Sequence, residues 1–123
     1  MDPLRQAKAF GREVQAARQS EAAGQIQQAW RCLELAHVVG QHRMRLHWQS
    51  HSAMLGLARR TGNRREVAAQ LLRLALTPIG HLTGRLPQFN PGSSRVGPFA
   101  RTDWPTELDP VTLERCNRAP SKP

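Results

Sequence analysis

Acidic residues and lysine are scarce in this chain. Of its 123 residues, 16 are arginine and only two, Lys8 and Lys122, are lysine. Acidic residues before position 102 are limited to Asp2, Glu13, Glu21, Glu34 and Glu66. The net charge of +9 therefore comes from arginine. This balance favours contact with nucleic acid, anionic lipid or an acidic partner, although an arginine-biased genome gives the same composition.

Cysteine and long apolar runs are also lacking. The two cysteines, Cys32 and Cys116, are spaced in no pattern that indicates a disulfide or a zinc knuckle. No apolar run approaches the roughly 18 residues of a membrane span, and no basic and apolar leader opens the chain. We therefore expect a cytoplasmic protein without a membrane span. The oligomeric state stays open.

Helical periodicity fills the first two thirds of the chain. We predict one helix from Pro3 that is broken before Gly24, a second over 26–40, a third over about 43–60 and a fourth over about 63–76. Gly40 is the expected stop of the second helix. Asn63 is the expected N-cap of the fourth helix, and Pro78 is expected beyond its end.

A faint internal repeat supports pairing of these helices. Gly24 and Gly62 lie 38 residues apart, and each follows one helix and precedes another. In this register Leu33 aligns with Leu71. The predicted fold is therefore all-α, a small antiparallel bundle of about four helices in two hairpins, faintly similar to tetratricopeptide repeats.

Proline dominates the remaining residues. Residues 85–123 contain seven prolines, which disfavour regular structure. Phe99 and Trp104 are large apolar residues, so we expect this arm to pack across the helices at least as far as Leu108, with disorder beyond Arg118. The expected organisation is a helical domain over 1–84 and a proline-rich arm over 85–123.

Most of the histidines lie on the apolar faces of two helices. On a helical wheel, Glu34 and His37 share the apolar face of the second helix, three residues apart. On the third helix His47 and His51 share the face that carries Met54, at the spacing that lets two imidazoles reach one ion. His42 and His81 are expected outside this group.

Facing helices predict a metal site between them. A turn near Gly40 brings Glu34 opposite His47, and helix axes about 8–10 Å apart leave room for an ion. We predict that Glu34, His37, His47 and His51 bind a divalent transition metal such as Zn, Fe or Mn. Glu13 and Met54 are possible accessory ligands. A polar core network without an ion is the alternative.

The same residues resemble a known family. "LELAHVVGQ" and "HWQSHSAML" are similar to small bacterial proteins catalogued as a domain of unknown function, which read Leu-Glu-x-Ala-His-x-x-Gly-Gln and then His-x-x-x-His-x-x-Met. The similarity extends from about Phe10 to Leu108. In the arm this chain has "FNPGSS" and "PFARTDWP" where the family has a Gly-Asn-Thr-Gly turn and a Phe-x-Pro-Met-Pro segment. The resemblance supports the grouping of the ligands but implies no activity. The matching residues are Glu34, Ala36, His37, Gly40, Gln41, His47, His51 and Met54.

Three functions are compatible with these patterns. The first is a metal-binding helical protein that handles or senses metal. The second is a module that binds nucleic acid or an acidic partner through Arg59, Arg60, Arg64 and Arg65. Aromatic residues for base stacking are few, and no helix-turn-helix signature is evident. The third is a mononuclear or dinuclear metalloenzyme, which requires an open coordination position and a nearby acid or base.

Overall fold

A computed structural model describes residues 2–83, which form four α helices and no strand. The helices are α1 (Pro3–Ala22), α2 (Ile26–Gly40), α3 (Met44–Arg60) and α4 (Arg64–Thr83). The predicted helical bundle is therefore confirmed. The predicted proline-rich arm lies outside the described residues. No helix within residues 2–83 is long and apolar enough to cross a membrane.

Side-chain caps start the first and last helices. The Asp2 carboxylate accepts a hydrogen bond from the Leu4 amide at 3.1 Å, and Pro3 occupies the first turn of α1. The Asn63 side-chain oxygen accepts from the Glu66 amide at 3.1 Å, as predicted for an N-cap. Each cap satisfies an amide that has no partner inside its own helix.

The turns after α1 and α3 have the same hydrogen bonds. Gly24 and Gly62 both adopt positive φ, 76° and 70°, a conformation that glycine adopts at little cost. The amide of Gln25 donates to the carbonyl of Ser20, and 38 residues later the amide of Asn63 donates to Ala58, at 2.8 and 2.9 Å. This shared Schellman-type turn is the structural basis of the faint repeat.

The helix α4 is longer than the sequence predicts. Its expected end near Leu76 is wrong, because α4 continues through Pro78 to Thr83. A proline inside a helix removes one backbone donor. The Thr77 hydroxyl donates to the Arg73 carbonyl at 2.7 Å in this turn. The extra residues bring His81 to the bundle.

Successive helices pack against one another, and their apolar contacts fall into two clusters. In the first hairpin, formed by α1 and α2, the side-chain Nε2 of Gln6 donates to the Val39 carbonyl at 2.7 Å. The first cluster consists of Ala9, Phe10, Leu35, Ala36, Val38, Val39 and Leu46. The second cluster consists of Ala17, Ala29, Cys32, Leu33, Met54 and Leu57.

Gly40 ends α2, as predicted, but for a different reason from the other turn glycines. Its φ is not positive. A Cβ at this position would lie 2.7 Å from the Leu46 Cβ and 3.2 Å from the Phe10 Cδ2. Gly40 therefore allows the close approach of α2 to α3, which carry the buried histidines.

Buried polar residues come from all four helices, which is unusual for so small a bundle. They include Glu13 on α1, Glu34 and His37 on α2, and His47 and His51 on α3. The buried residues of α4 are almost entirely polar. They are Glu66, Gln70, Arg73, Thr77 and Gly80.

Candidate metal centre

Three histidines from two helices meet in the interior. His37 lies on α2, and His47 and His51 lie one turn apart on α3. His37, His47 and His51 are 3%, 4% and 2% exposed, respectively. Each offers a ring nitrogen that lies within 4.8 Å of those of the other two. Among the described residues, this is the group of side chains suited to hold a metal ion.

His51 is the centre of the group. Its Nε2 atom lies 3.1 Å from the Nε2 of His37 and 3.1 Å from the Nε2 of His47. The ring centroids are 4.6 to 4.9 Å apart, and the planes of His37 and His51 are inclined by 64°. The rings are therefore not stacked. The Nε2 atoms of His37 and His47 both approach the Nε2 of His51.

The outer nitrogen of His51 is fixed by α4. Its Nδ1 lies 2.7 Å from the Gln70 Oε1, and the Gln70 Nε2 donates to the Glu66 carboxylate at 2.8 Å. A carboxylate only accepts, so the amide nitrogen of Gln70 faces Glu66 and its oxygen faces His51. The proton of neutral His51 is therefore on Nδ1, and the Nε2 lone pair points into the group.

His81 lies beside this group. Its Nε2 lies 2.9 Å from the Nδ1 of His47, on the side away from His51. His81 lies outside the three-histidine group, as predicted, but the unpredicted continuation of α4 past Pro78 brings it within hydrogen-bond distance of His47. His81 is half-buried. His42, in contrast, is exposed, as predicted.

Burial keeps these imidazoles neutral. Burial first, and then the neighbouring His51 and His81, lower the pKa of His47 to about 3. Burial lowers the pKa of His51 to about 4, against the opposing effect of its hydrogen bond to Gln70. The pKa of His81 is also lowered, by burial and by His42. Neutral imidazole is the form that binds metal ions, so these side chains are ready for ligation at neutral pH.

The predicted carboxylate and thioether ligands are buried but are not members of the three-histidine group. Glu34 is 2% exposed, and its Oε2 lies 3.6 Å from the Arg31 Nη1. Glu13 is 1% exposed, on α1. Met54 is fully buried in the second apolar cluster. Their roles as ligands stay predictions.

The arginines at the turn between α3 and α4 differ in their surroundings. Arg60 donates to both oxygens of Glu21, at 2.6 and 2.9 Å. It thereby links α3 to α1. Arg59, Arg64 and Arg65 are exposed. A phosphate or acidic partner that bound here would compete with Glu21 for Arg60.

Comparison with known families matches residues 4–112 to the family described as "Protein of unknown function (DUF3703)". The chain belongs to this family. The predicted resemblance to a domain of unknown function is thus confirmed. No curated protein and no solved structure matches the chain.

The DUF3703 region includes the described bundle from residue 4 onward and extends 29 residues beyond α4. All three histidines lie inside it, as do Gln70 and His81 on α4. Sequence reasoning did not identify Gln70 or Glu66. Their spacing of four residues was available as a signal, but the exposed apolar residues of α4 lie on the opposite face.

Proposed function

We propose that this DUF3703 protein binds one divalent transition-metal ion through His37, His47 and His51, and that it handles or senses that ion. The observation that carries the proposal is the orientation of His51. Its Nδ1 proton is directed to Gln70, and its Nε2 lone pair is directed at two other imidazoles. Metal-binding histidines commonly donate their second ring N–H to such an outer acceptor.

The spacing of the nitrogens supports this proposal. Zn–N bonds of about 2.0–2.1 Å in a tetrahedral site place two ligand nitrogens about 3.3 Å apart. The two Nε2–Nε2 distances at His51 are both 3.1 Å. Without an ion, the single Nε2 lone pair of His51 would have to accept hydrogen bonds from His37 and His47 together. An ion gives all three lone pairs one partner.

Outer-shell partners on α4 would serve two of the three ligands. Gln70 accepts from His51, and His81 stands 2.9 Å from the outer nitrogen of His47. With His47 bound to an ion through Nε2, its Nδ1–H would have the His81 Nε2 as an acceptor, beside the Gln41 backbone that also hydrogen-bonds His47. Such partners fix ring orientation and raise ligand basicity.

Charge favours Glu34 as the fourth ligand. Three neutral imidazoles leave the ion with both its positive charges in a buried place, which is costly without a counter-charge. Glu34 is buried one turn before His37 on the same helix. A carboxylate with imidazoles is a ligand set suited to Zn, Fe(II) or Mn(II).

Burial favours handling or sensing over catalysis. The three histidines are at most 4% exposed, so an ion held there is shielded from a bulky substrate. A catalytic centre keeps a coordination position open to its substrate. Storage or sensing requires only that the ion reach the site and leave it.

Elemental analysis of the full chain, purified without an affinity tag and loaded separately with Zn, Fe(II) or Mn(II), tests the proposal. We expect one ion per chain, no ion in the His47→Ala, His51→Ala double variant, and unchanged loading in His42→Ala. An equal metal content per chain in the wild type and the double variant would contradict the proposal. Co(II) adds a spectroscopic test, because tetrahedral coordination by three nitrogens and a fourth ligand gives strong visible absorption that the double variant lacks.

A further inference from the structure

The helix α4 buries its polar face and exposes its apolar face. The residues it buries are Glu66, Gln70, Arg73, Thr77 and Gly80. At 100° per residue, its exposed apolar residues fall in one stripe about 100° wide on the opposite side. An amphipathic helix at a protein surface normally turns this stripe to the core. The stripe consists of Ala68, Leu71, Leu72, Ala75, Ile79 and Leu82.

The exposure of this stripe is large. Leu71, Leu72 and Ile79 are 54% to 55% exposed, and Leu82 is 87% exposed. Four of the seven large apolar side chains exposed in the described residues lie on this one helix. A continuous apolar stripe of this kind marks a surface that something covers. Because its other face positions His51 and His81, α4 cannot turn over to bury it.

The rest of the chain begins where the stripe ends. Residues 84–123 follow directly after α4, and the DUF3703 match continues through the first 29 of them, to residue 112. Residues 84–112 are therefore part of the family unit and not an appendage. The stripe, from residue 68 to residue 82, is about 21 Å long. A chain of 29 residues spans more than about 90 Å when extended, and ample length is thus available to run back along α4.

Composition and charge match this path. The segment carries Leu86, Phe89, Phe99, Trp104 and Leu108 as apolar residues. Asp103, Glu107 and Asp109 follow near its end. At the opposite end of the stripe, the first turn of α4 exposes Arg64 and Arg65. A segment that leaves the end of α4 at Thr83 and returns along the helix brings these acidic residues close to Arg64 and Arg65.

A second copy of the chain is the weaker occupant. A stable interface buries about 800 Å² on each partner. Four aliphatic side chains, three of them about half-exposed, provide only a fraction of this area.

We propose that residues 84–112 run back along α4 and bury the apolar stripe, with Phe99 and Trp104 among the side chains that cover it. This arrangement is independent of metal binding. It makes the C-terminal segment the fifth layer of the bundle, and it presses α4 onto the histidines.

Fluorescence of Trp104 in the full chain tests the proposal. Trp30→Phe and Trp48→Phe make Trp104 the single tryptophan, because the chain has three. We expect blue-shifted emission and weak quenching by acrylamide in a monomer, as judged by light scattering. Adding Leu72→Lys and Ile79→Lys should shift the emission to the red and raise the quenching constant several-fold. The matched control is Leu4→Lys, since Leu4 is an exposed leucine of α1 (62%) and lies outside the stripe.

Two results would overturn the proposal. The first is Trp104 emission typical of water in the parent protein, with circular dichroism showing intact helices. The second is a parent dimer that Leu72→Lys and Ile79→Lys convert to a monomer without change in Trp104 emission, which would assign the stripe to a second copy. An Arg64→Glu, Arg65→Glu variant should weaken the protection of Trp104 if the acidic end lies at the first turn of α4.

Discussion

Gln70 on α4 determines which nitrogen of His51 on α3 carries the proton. The Gln70 oxygen lies 2.7 Å from the His51 Nδ1, and the Gln70 nitrogen is engaged with Glu66. The amide therefore cannot present a donor to the imidazole. A residue outside the three-histidine group thus decides that the Nε2 of His51 presents a lone pair to the other two rings.

Replacing Gln70 should weaken metal binding without abolishing it. Loss of an outer-shell acceptor typically costs roughly 10- to 100-fold in metal affinity. We expect a decrease of this size for Gln70→Ala, measured by competition with a chelator of known affinity, with one ion per chain still bound at saturation. Gln49→Ala on the exposed side of α3 is the control and should bind like wild type. Wild-type affinity in Gln70→Ala would contradict an outer-shell role.

Glu34 should behave as a ligand and Glu13 as an accessory residue at most. Glu34→Gln removes the charge that we propose compensates the ion, so its affinity should fall by more than the roughly 10- to 100-fold typical of an outer-shell change. Glu13→Gln, which is buried to the same degree, should have a smaller effect. A loss in Glu34→Gln no larger than that in Glu13→Gln would contradict the assignment of Glu34 as the fourth ligand.

The metal-free protein should lose stability as the pH falls below about 6.5. The pKa of His47 is lowered from 6.5 to about 3 and that of His51 to about 4. At pH values between 6.5 and these lowered pKa values, the unfolded chain binds more protons than the native chain. The free energy of unfolding therefore decreases as the pH falls. Urea denaturation at about pH 7 and about pH 5 measures the difference.

A His47→Gln, His51→Gln variant should lose much of this pH dependence, whereas His42→Ala should retain it. A wild-type unfolding free energy that stays constant across this range, in protein shown to be free of metal, would mean that the two histidines are not held neutral by burial.

Gly40 and Gly11 should respond to alanine in opposite directions. A Cβ at Gly40 would meet the Leu46 Cβ at 2.7 Å, and relief requires α2 and α3 to move apart. We expect a loss of about 1–3 kcal/mol in unfolding free energy. Gly11, also in a helix, has no atom within 4 Å of such a Cβ, so Gly11→Ala should gain about 0.5–1 kcal/mol. Chemical denaturation of both variants tests the pair.

Local signals in the sequence predicted most of the fold. Pro3, Gly24, Gly40 and Asn63 mark helix ends that the structure reproduces within a residue or two. These signals work because caps and turn glycines act within a few residues of the chain. Pro78 led to a wrong prediction of the end of α4, because a proline makes continuation of a helix costly without forbidding it.

The inner faces of α2 and α3 were also predictable, whereas that of α4 was not. His37, His47 and His51 share faces with apolar residues, and all three are buried. On α4 the repeat register aligned Leu71 with Leu33, but Leu71 is 54% exposed and Leu33 is 3% exposed. Periodicity identifies two faces of a helix and assumes that the apolar one is inside. Polar partners of buried histidines reverse that assignment here.

The three histidines also straddle the boundary between the two hairpins, since His37 belongs to the first and the other two belong to the second. Any ion they hold would fasten one hairpin to the other. Because such an ion binds the folded chain in preference to the unfolded one, each tenfold rise in free ion above the dissociation constant would add about 1.4 kcal/mol to the unfolding free energy. The lifetime of the folded protein in a cell would then follow the supply of the metal.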